Sequence, residues 1–299
     1  MQASSNHSLS PLVRIWVALA LSASMGGCVT TGAGSKALAG PGDGVVVEGA
    51  SDIRKLVPAE QLERSATKQF EAMKREAQKK NALLPPSDPT VVRLNAIANR
   101  LKPYANTWNP GAPKWNWEVA VFKNDQINAF CMPGGKIGFF TGIVDKLKLT
   151  DDEIAMVMGH EMAHALREHS RAQLAKAQLT DIGASVLSTL MGLGEGGRQV
   201  MGFGTQLLTM KFSRSDETDA DLVGLDIASR AGYDPRTAIV LWRKMQSASK
   251  GAPPEWFSTH PASSTRIDDI SRNLPRVLPL YAKAIGKSLD TLPPDPSLR

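Results

Sequence analysis

The chain has 299 residues, 42% of them hydrophobic, and carries 35 Lys and Arg against 29 Asp and Glu, a net charge of +6. This length accommodates one sizeable core with appendages. The basic excess is spread along the chain without interleaved aromatic residues, which sets nucleic acid aside as a partner, and two cysteines, Cys28 and Cys131, are too few for a disulfide framework or a cysteine-based zinc site.

Residues 1–14 are polar and hold one basic residue, Arg14. The apolar run Ile15 to Ala23 that follows is too short to span a bilayer and fits the hydrophobic region of a signal peptide. It leads into "SMGGC", and small residues before a cysteine resemble a bacterial lipoprotein signal, cleaved so that 1–27 leave and Cys28 takes the lipid. Met25 stands where Leu is usual, and the other reading is an ordinary secretory signal with a chance cysteine. Residues 28–50, rich in Gly, Ser and Ala at first, read as a flexible tether. Val29 and Thr30 follow the cysteine, where Asp would imply inner-membrane retention. By that resemblance the protein is lipid-anchored in the bacterial cell envelope, at the outer membrane and facing the periplasm.

Residues 51–285 read as the folded domain and 286–299 as a loose C-terminal tail. An amphipathic helix is predicted over 58–82, and another begins at Asp88 as N-cap with Pro89 in the first turn. Trp115 to Phe122 alternates and is rich in aromatic and β-branched residues, so it predicts a strand. "INAF" and "KIGFFTG" add two more, separated by the turn in "CMPGG", giving a small sheet over 115–141. The clearest helix starts after Thr150, which forms a capping box with Glu153. Residues 180–206 are Gly-rich and apolar and give no clear element, and the apolar run Ile182 to Gly194 is too short to span a membrane. Further helices are predicted over 215–231, closed by Gly232, and near 235–249.

Three of the five histidines fall within "GHEMAHALREH". His160 and His164 are four residues apart and project about 40° apart on one helix face, where two imidazoles can chelate one ion. Glu161 sits beside them, placed to reach a metal-bound water. This is the His-Glu-x-x-His pattern of zinc hydrolases. Met156, Gly159, Met162 and Ala163 make the helix apolar, and burying these polar groups without an ion would be costly. His169, nine residues past His160, would lie about 180° round a continuing helix and is rejected as third ligand. Glu217 is the candidate instead, and Asp221, four residues on, can fix the tautomer of a ligand histidine. Asp216 and Asp219 read as solvated acids.

Four islands, "INAFCMPGGKIGFFTGI", "GHEMAHALREHS", "SRSDETDADLVGLDIASRAGYDP" and "STHPASSTRI", together resemble the HtpX-type and CAAX-prenyl-endopeptidase family of gluzincin metalloproteases, family forty-eight of the metallopeptidases. The resemblance spans roughly 127–267 and implies an α+β fold: a mostly helical zincin-like domain with a small β-sheet beside the active-site helix. It implies one zinc ion held by His160, His164 and Glu217, a substrate strand at Asn128, Ala129 and Phe130, and His260 at the site.

The expected activity is a membrane-tethered zinc metalloendopeptidase, in which Glu161 activates a zinc-bound water. His260 is the expected oxyanion donor, with Arg266 as a second candidate. Substrates would be unfolded or extended polypeptides adding a strand to the sheet edge, and the resemblance suggests misassembled outer-membrane proteins, with the assembly machinery as a partner. Latching of the cleft by His260 or by 190–204 is the expected mode of control. The competing class is an envelope chaperone or assembly factor with structural zinc, for which His260 would have to supply a fourth ligand. Cys131 reads as a small buried hydrophobe rather than a reactive thiol.

Overall fold

The computed structural model describes residues 37–39, 43–178, 210–249, 254–261 and 265–298, so Cys28 and the 190–204 segment lie outside the described residues. Strands β1 (Ala37–Ala39) and β2 (Val46–Glu48) pair antiparallel ahead of the first long helix. That helix, α1 (Ala59–Lys79), matches the predicted amphipathic segment and buries Leu62, Ala66 and Phe70. Helix α2 (Pro89–Leu101) begins as predicted, with the N–H of Thr90 donating to the Asp88 carboxylate at 2.8 Å.

Three strands, β3 (Glu118–Phe122), β4 (Ala129–Met132) and β5 (Lys136–Phe140), form the predicted sheet in the order β3-β5-β4. β3 runs parallel to β5 and β4 antiparallel to it. Alternation along the strands sorts their side chains onto two faces. Val121, Ala129, Cys131, Ile137 and Phe139 enter the main core. Ala120, Phe122, Phe130 and Met132 pack on the other side with Phe70 of α1. Phe130 lies across Gly138 so closely that a Cβ there would sit 2.2 Å from its ring. The turn between β4 and β5 uses Gly134 and Gly135 at φ of +82° and +78°, the left-handed region where glycine carries no penalty.

After α3 (Thr141–Leu147) comes α4 (Asp151–Leu166), with the predicted capping box: Thr150 and Glu153 bond each other's backbone N–H. Every residue of α4 from Glu153 onward is buried. Then follow α5 (His169–Gln178), α6 (Arg214–Arg230), α7 (Thr237–Ala248), the single turn α8 (Trp256–Thr259) and α9 (Arg266–Ala284). Gly232 follows α6 at φ +78°, ending it as predicted. The tail expected to be loose is instead tied down: Arg236 donates to the carbonyl of Pro293 at 3.0 Å and Arg243 to that of Ser297 at 2.5 Å. Among the described residues, no helix is long and apolar enough to cross a membrane.

Helices α4 and α6 cross backbone to backbone. A Cβ on Gly159 would lie 2.8 Å from the carbonyl oxygen of Gly224, and one on Gly224 would lie 2.6 Å from the amide nitrogen of His160. Since both obstacles are backbone, a side chain can enter only by moving a helix. Gly224→Ala should therefore cost roughly 1–3 kcal/mol as overpacking. A lowered thermal midpoint of the purified full chain, with weakened metal retention, is the expected result. An unchanged midpoint would show that the crossing is slack.

Candidate metal and active site

The crossing brings two short motifs face to face. His160 and His164 project from α4, Glu217 and Asp221 from α6, and all four are buried. His160 Nδ1 lies 2.9 Å from Asp221 Oδ1 and His164 Nε2 lies 3.4 Å from Glu217 Oε1. The loop after α8 adds His260, only 2% exposed, with Nδ1 3.0 Å from Glu217 Oε1 and 3.3 Å from His160 Nε2. His164 Nε2 and His160 Nε2 are 3.1 Å apart. One donor atom from each of His160, His164, Glu217 and His260 lies within 4.8 Å of the others. Donors around a tetrahedral zinc, with bonds of about 2.0 Å, would be spaced ~3.3 Å apart, so the donor set fits such an ion.

Charge points the same way. With all three acids ionised, as a bound cation would favour, Glu161, Glu217 and Asp221 contribute −3 and Arg266 contributes +1, leaving −2 in a buried space. A divalent cation balances it. Burial, and next the charge of Arg266, push the His160 imidazole well below its ordinary range. Burial is also the main cause of the same shift at His164. Both rings are thus neutral and ready to ligate. Burial alone would raise Glu217, but the facing His164 and His260 rings outweigh it and hold the carboxyl well below the usual range.

Glu161 is buried beside this set, and its Oε1 has no hydrogen-bond donor, with His260 Nε2 3.4 Å away. Burial, followed by the Glu217 charge, pushes it well above the carboxylate range, while the backbone N–H of Cys131 opposes the rise. Asn128, Ala129, Phe130, Cys131, Glu161, His164, Phe212 and His260 line one cleft. β4 is bordered on one side by β5, and the N–H of Phe140 donates to the carbonyl of Asn128 at 3.1 Å. By antiparallel alternation, the backbone groups of Ala129 and Cys131 then point away from β5.

Several assignments change. Arg266, the second candidate for oxyanion donor, is engaged with the site's carboxylates. It is 4% exposed, ion-pairs with Glu217 at 2.8 Å and with Asp221, and stacks 3.7 Å over Trp242. Asp216 closes a capping box with Ser213, and Asp219 binds Arg167 at 2.6 Å, so neither is merely solvated. His169 does not face away, because α4 does not continue to it. The helix ends at Leu166, Glu168 turns at φ +57°, and His169 comes back against His164, Nδ1 to Nδ1 at 2.9 Å. The clustering of Arg167 and His169 after the last apolar position was the available sign of a helix end. Phe212, stacked 3.9 Å from the His164 ring, carries no sequence signal of its role.

Comparison with known proteins agrees with this geometry. The model of peptidase family M48 matches residues 93–274. The chain belongs to that family. It is 32% identical over 212 residues to the mitochondrial metalloendopeptidase OMA1 of Bos taurus, covering 67% of this chain and 40% of the relative. It is 32% identical over 225 residues to OMA1 of Saccharomyces cerevisiae, covering 71% and 64%. To the beta-barrel assembly-enhancing protease of Escherichia coli it is 27% identical over 209 residues, covering 66% and 42%. The chain thus spans between 40% and 64% of the length of these relatives.

Two outcomes test the electrostatics. Arg266→Met leaves Glu217 and Asp221 buried without their cation, and should destabilise the metal-free protein by on the order of 3 kcal/mol, read as a fall in thermal midpoint that zinc partly restores. Cys131 is buried, and burial, then the Glu161 charge, push its thiol well above the ordinary range. It should resist alkylation in the native protein and react in denaturant. Rapid native labelling would reveal an accessible thiolate.

Proposed function

We propose that this chain is a zinc-dependent metalloendopeptidase of the bacterial cell envelope, anchored through lipid on Cys28, that hydrolyses peptide bonds in unfolded or misassembled envelope proteins. The observation that carries this reading is Glu161: a buried carboxylate with one oxygen lacking a hydrogen-bond donor, beside the His160, His164, Glu217 and His260 donor set. A purely structural metal has no use for it. The envelope assignment is supported by the lipoprotein-like N-terminus and by likeness to the E. coli protein whose name refers to beta-barrel assembly. The mitochondrial relatives share the family and another compartment.

Zinc held by His160, His164 and Glu217 would acidify the attacking water and polarise the scissile carbonyl. Glu161 then takes a proton from that water and returns it to the leaving amine. Asp221 holds His160 through Nδ1, and Arg266 holds Asp221 and Glu217. An extended substrate adds a strand at the outer edge of β4, using backbone groups of Ala129 and Cys131, which gives loose sequence specificity. Asn128 bears on this, since its side-chain carbonyl accepts the Ala129 N–H at 2.9 Å. Substrate must displace it.

His260 supports a latent resting state. Its Nδ1 completes the four-donor set, so the position that water needs is held by a protein side chain. Swung out, the same ring is placed to donate to the oxyanion, which joins the latch and catalytic roles in one residue. The same observation favours the chaperone reading, in which the closed site stays closed.

With the purified full chain and casein as substrate, Glu161→Gln should lose at least about 100-fold in rate while retaining zinc. Continued cleavage by that variant removes Glu161 as general base. His260→Ala should raise basal cleavage if the latch dominates, as the closed donor set leads us to expect. A fall of about 100-fold or more would instead assign His260 to oxyanion stabilisation. Absence of cleavage by wild type and His260→Ala alike, with zinc bound, would move weight to the chaperone reading.

A further inference from the structure

The two ligand histidines of α4 are oriented in different ways. His160 meets a carboxylate directly: its Nδ1 lies 2.9 Å from Asp221 Oδ1. A carboxylate only accepts, so Nδ1 carries the proton and Nε2 presents a lone pair. His164 has no carboxylate at Nδ1. It has His169 Nδ1 at 2.9 Å, and His169 Nε2 lies 2.9 Å from Asp219 Oδ2.

Two facing ring nitrogens hold one proton between them. The Asp219 carboxylate offers only lone pairs, so a His169 ring with one proton keeps it on Nε2 and donates it there. Its Nδ1 is then bare and accepts from His164 Nδ1–H. That leaves the lone pair of His164 on Nε2, the atom 3.1 Å from His160 Nε2 in the donor set. Every tautomer follows from Asp219, which Arg167 Nε holds at 2.6 Å. The break after α4 makes this possible. Glu168 is fixed at its left-handed φ between Arg54 and Arg171, each at 2.7 Å, and the chain reverses His169 onto His164. His169 is 6% exposed and the Asp219 side chain 16%.

We propose that His169 is a positioning residue that relays the Asp219 carboxylate to His164, setting the tautomer and donor strength of that ligand. The inference rests on the reading that His160, His164 and Glu217 hold zinc. Loss of an outer partner of a metal ligand typically costs 10–100-fold in metal affinity, so zinc affinity of the full chain, measured by competition with a chromophoric chelator, should fall about 10–100-fold in His169→Ala. His169→Gln, which can accept from His164 and donate to Asp219, should recover part of it. The losses in His169→Ala and Asp219→Ala should not add in the double variant, because either one breaks the whole relay. Two independent roles would add. Imidazole 15N–1H NMR of the zinc-loaded wild type, which needs no variant to fold, should place protons on His164 Nδ1 and His169 Nε2. A His169 proton on Nδ1, unchanged zinc affinity in His169→Ala, or additive losses would overturn the relay while leaving the zinc site standing. Failure of wild type to bind zinc would overturn both.

Discussion

Helices α4 and α6 touch at Gly159 and Gly224 with no side chain between them, and the geometry of the site follows from that contact. From the crossing, Asp221 lies one turn back along α6 and meets His160, while Glu217 lies two turns back and meets His164. The pairs descend in opposite order along the two helices, so the helices run antiparallel and each α4 imidazole meets an α6 carboxylate. Side chains as short as Asp and Glu reach only because the backbones are in contact. Capping boxes at Thr150 and Ser213 fix where each helix begins, and therefore the phase at which these residues arrive at the crossing.

Concentrating acids there has an electrostatic cost, met on two levels. Arg266 reaches in from α9, lies flat on Trp242 and binds Glu217 and Asp221 together. A planar guanidinium does this where an ammonium would not, since it spans two carboxylates and stacks on an indole at once. Arg167 serves Asp219 in the same manner and also donates to the carbonyl of Glu48, joining β2 to the end of α4. With these acids ionised, two negative charges remain that a divalent ion would balance. Metal binding and folding are therefore linked here, because the apo site holds like charges close together.

The sequence made the two halves of the site legible for different reasons. His160 and His164 were readable because both lie within one regular helix, where spacing converts directly into angle. The Glu217 and Asp221 pair was readable on its own helix by the same rule. What spacing cannot supply is where a helix stops. The placement of His169 assumes a continuing α4, and Glu168 takes a left-handed φ without being Gly or Asn, so only the basic residues Arg167 and His169 after the last apolar position mark the break. Asp216 and Asp219 read as solvated for a related reason: an exposed and a buried charge look alike in sequence, and only their pairing separates them. The sheet was legible because alternation reports both of its faces, whereas its strand order, β3-β5-β4, depends on contacts that alternation does not encode. The tail of 286–299 reads as loose by its prolines and polar residues, yet Arg236 and Arg243 of the α7 region collect its carbonyls.

In the proposed enzyme the cleft would be closed at both of the places a substrate needs. At the metal site, His260 Nδ1 would take the fourth donor position, 3.0 Å from Glu217 Oε1 and 3.3 Å from His160 Nε2. At the strand edge, the N–H of Ala129 is taken by the Asn128 side chain and that of Cys131 faces the Glu161 carboxylate. These closures share members: Glu161 touches both the Cys131 amide and His260 Nε2. An arriving strand that claims backbone groups of β4 would release Glu161 from the edge, and in the proposed mechanism Glu161 is the group that must be free to handle a proton. The His260 loop is also joined to the segment before α6, where the N–H of Phe212 donates to the carbonyl of Thr259 at 3.0 Å and Phe212 stacks on His164. Strand addition, release of the general base and withdrawal of His260 thus act on one connected set of contacts. In the proposed enzyme, a peptide long enough to occupy the edge would itself supply the energy that opens the metal, and a folded surface unable to offer a strand would leave the site shut.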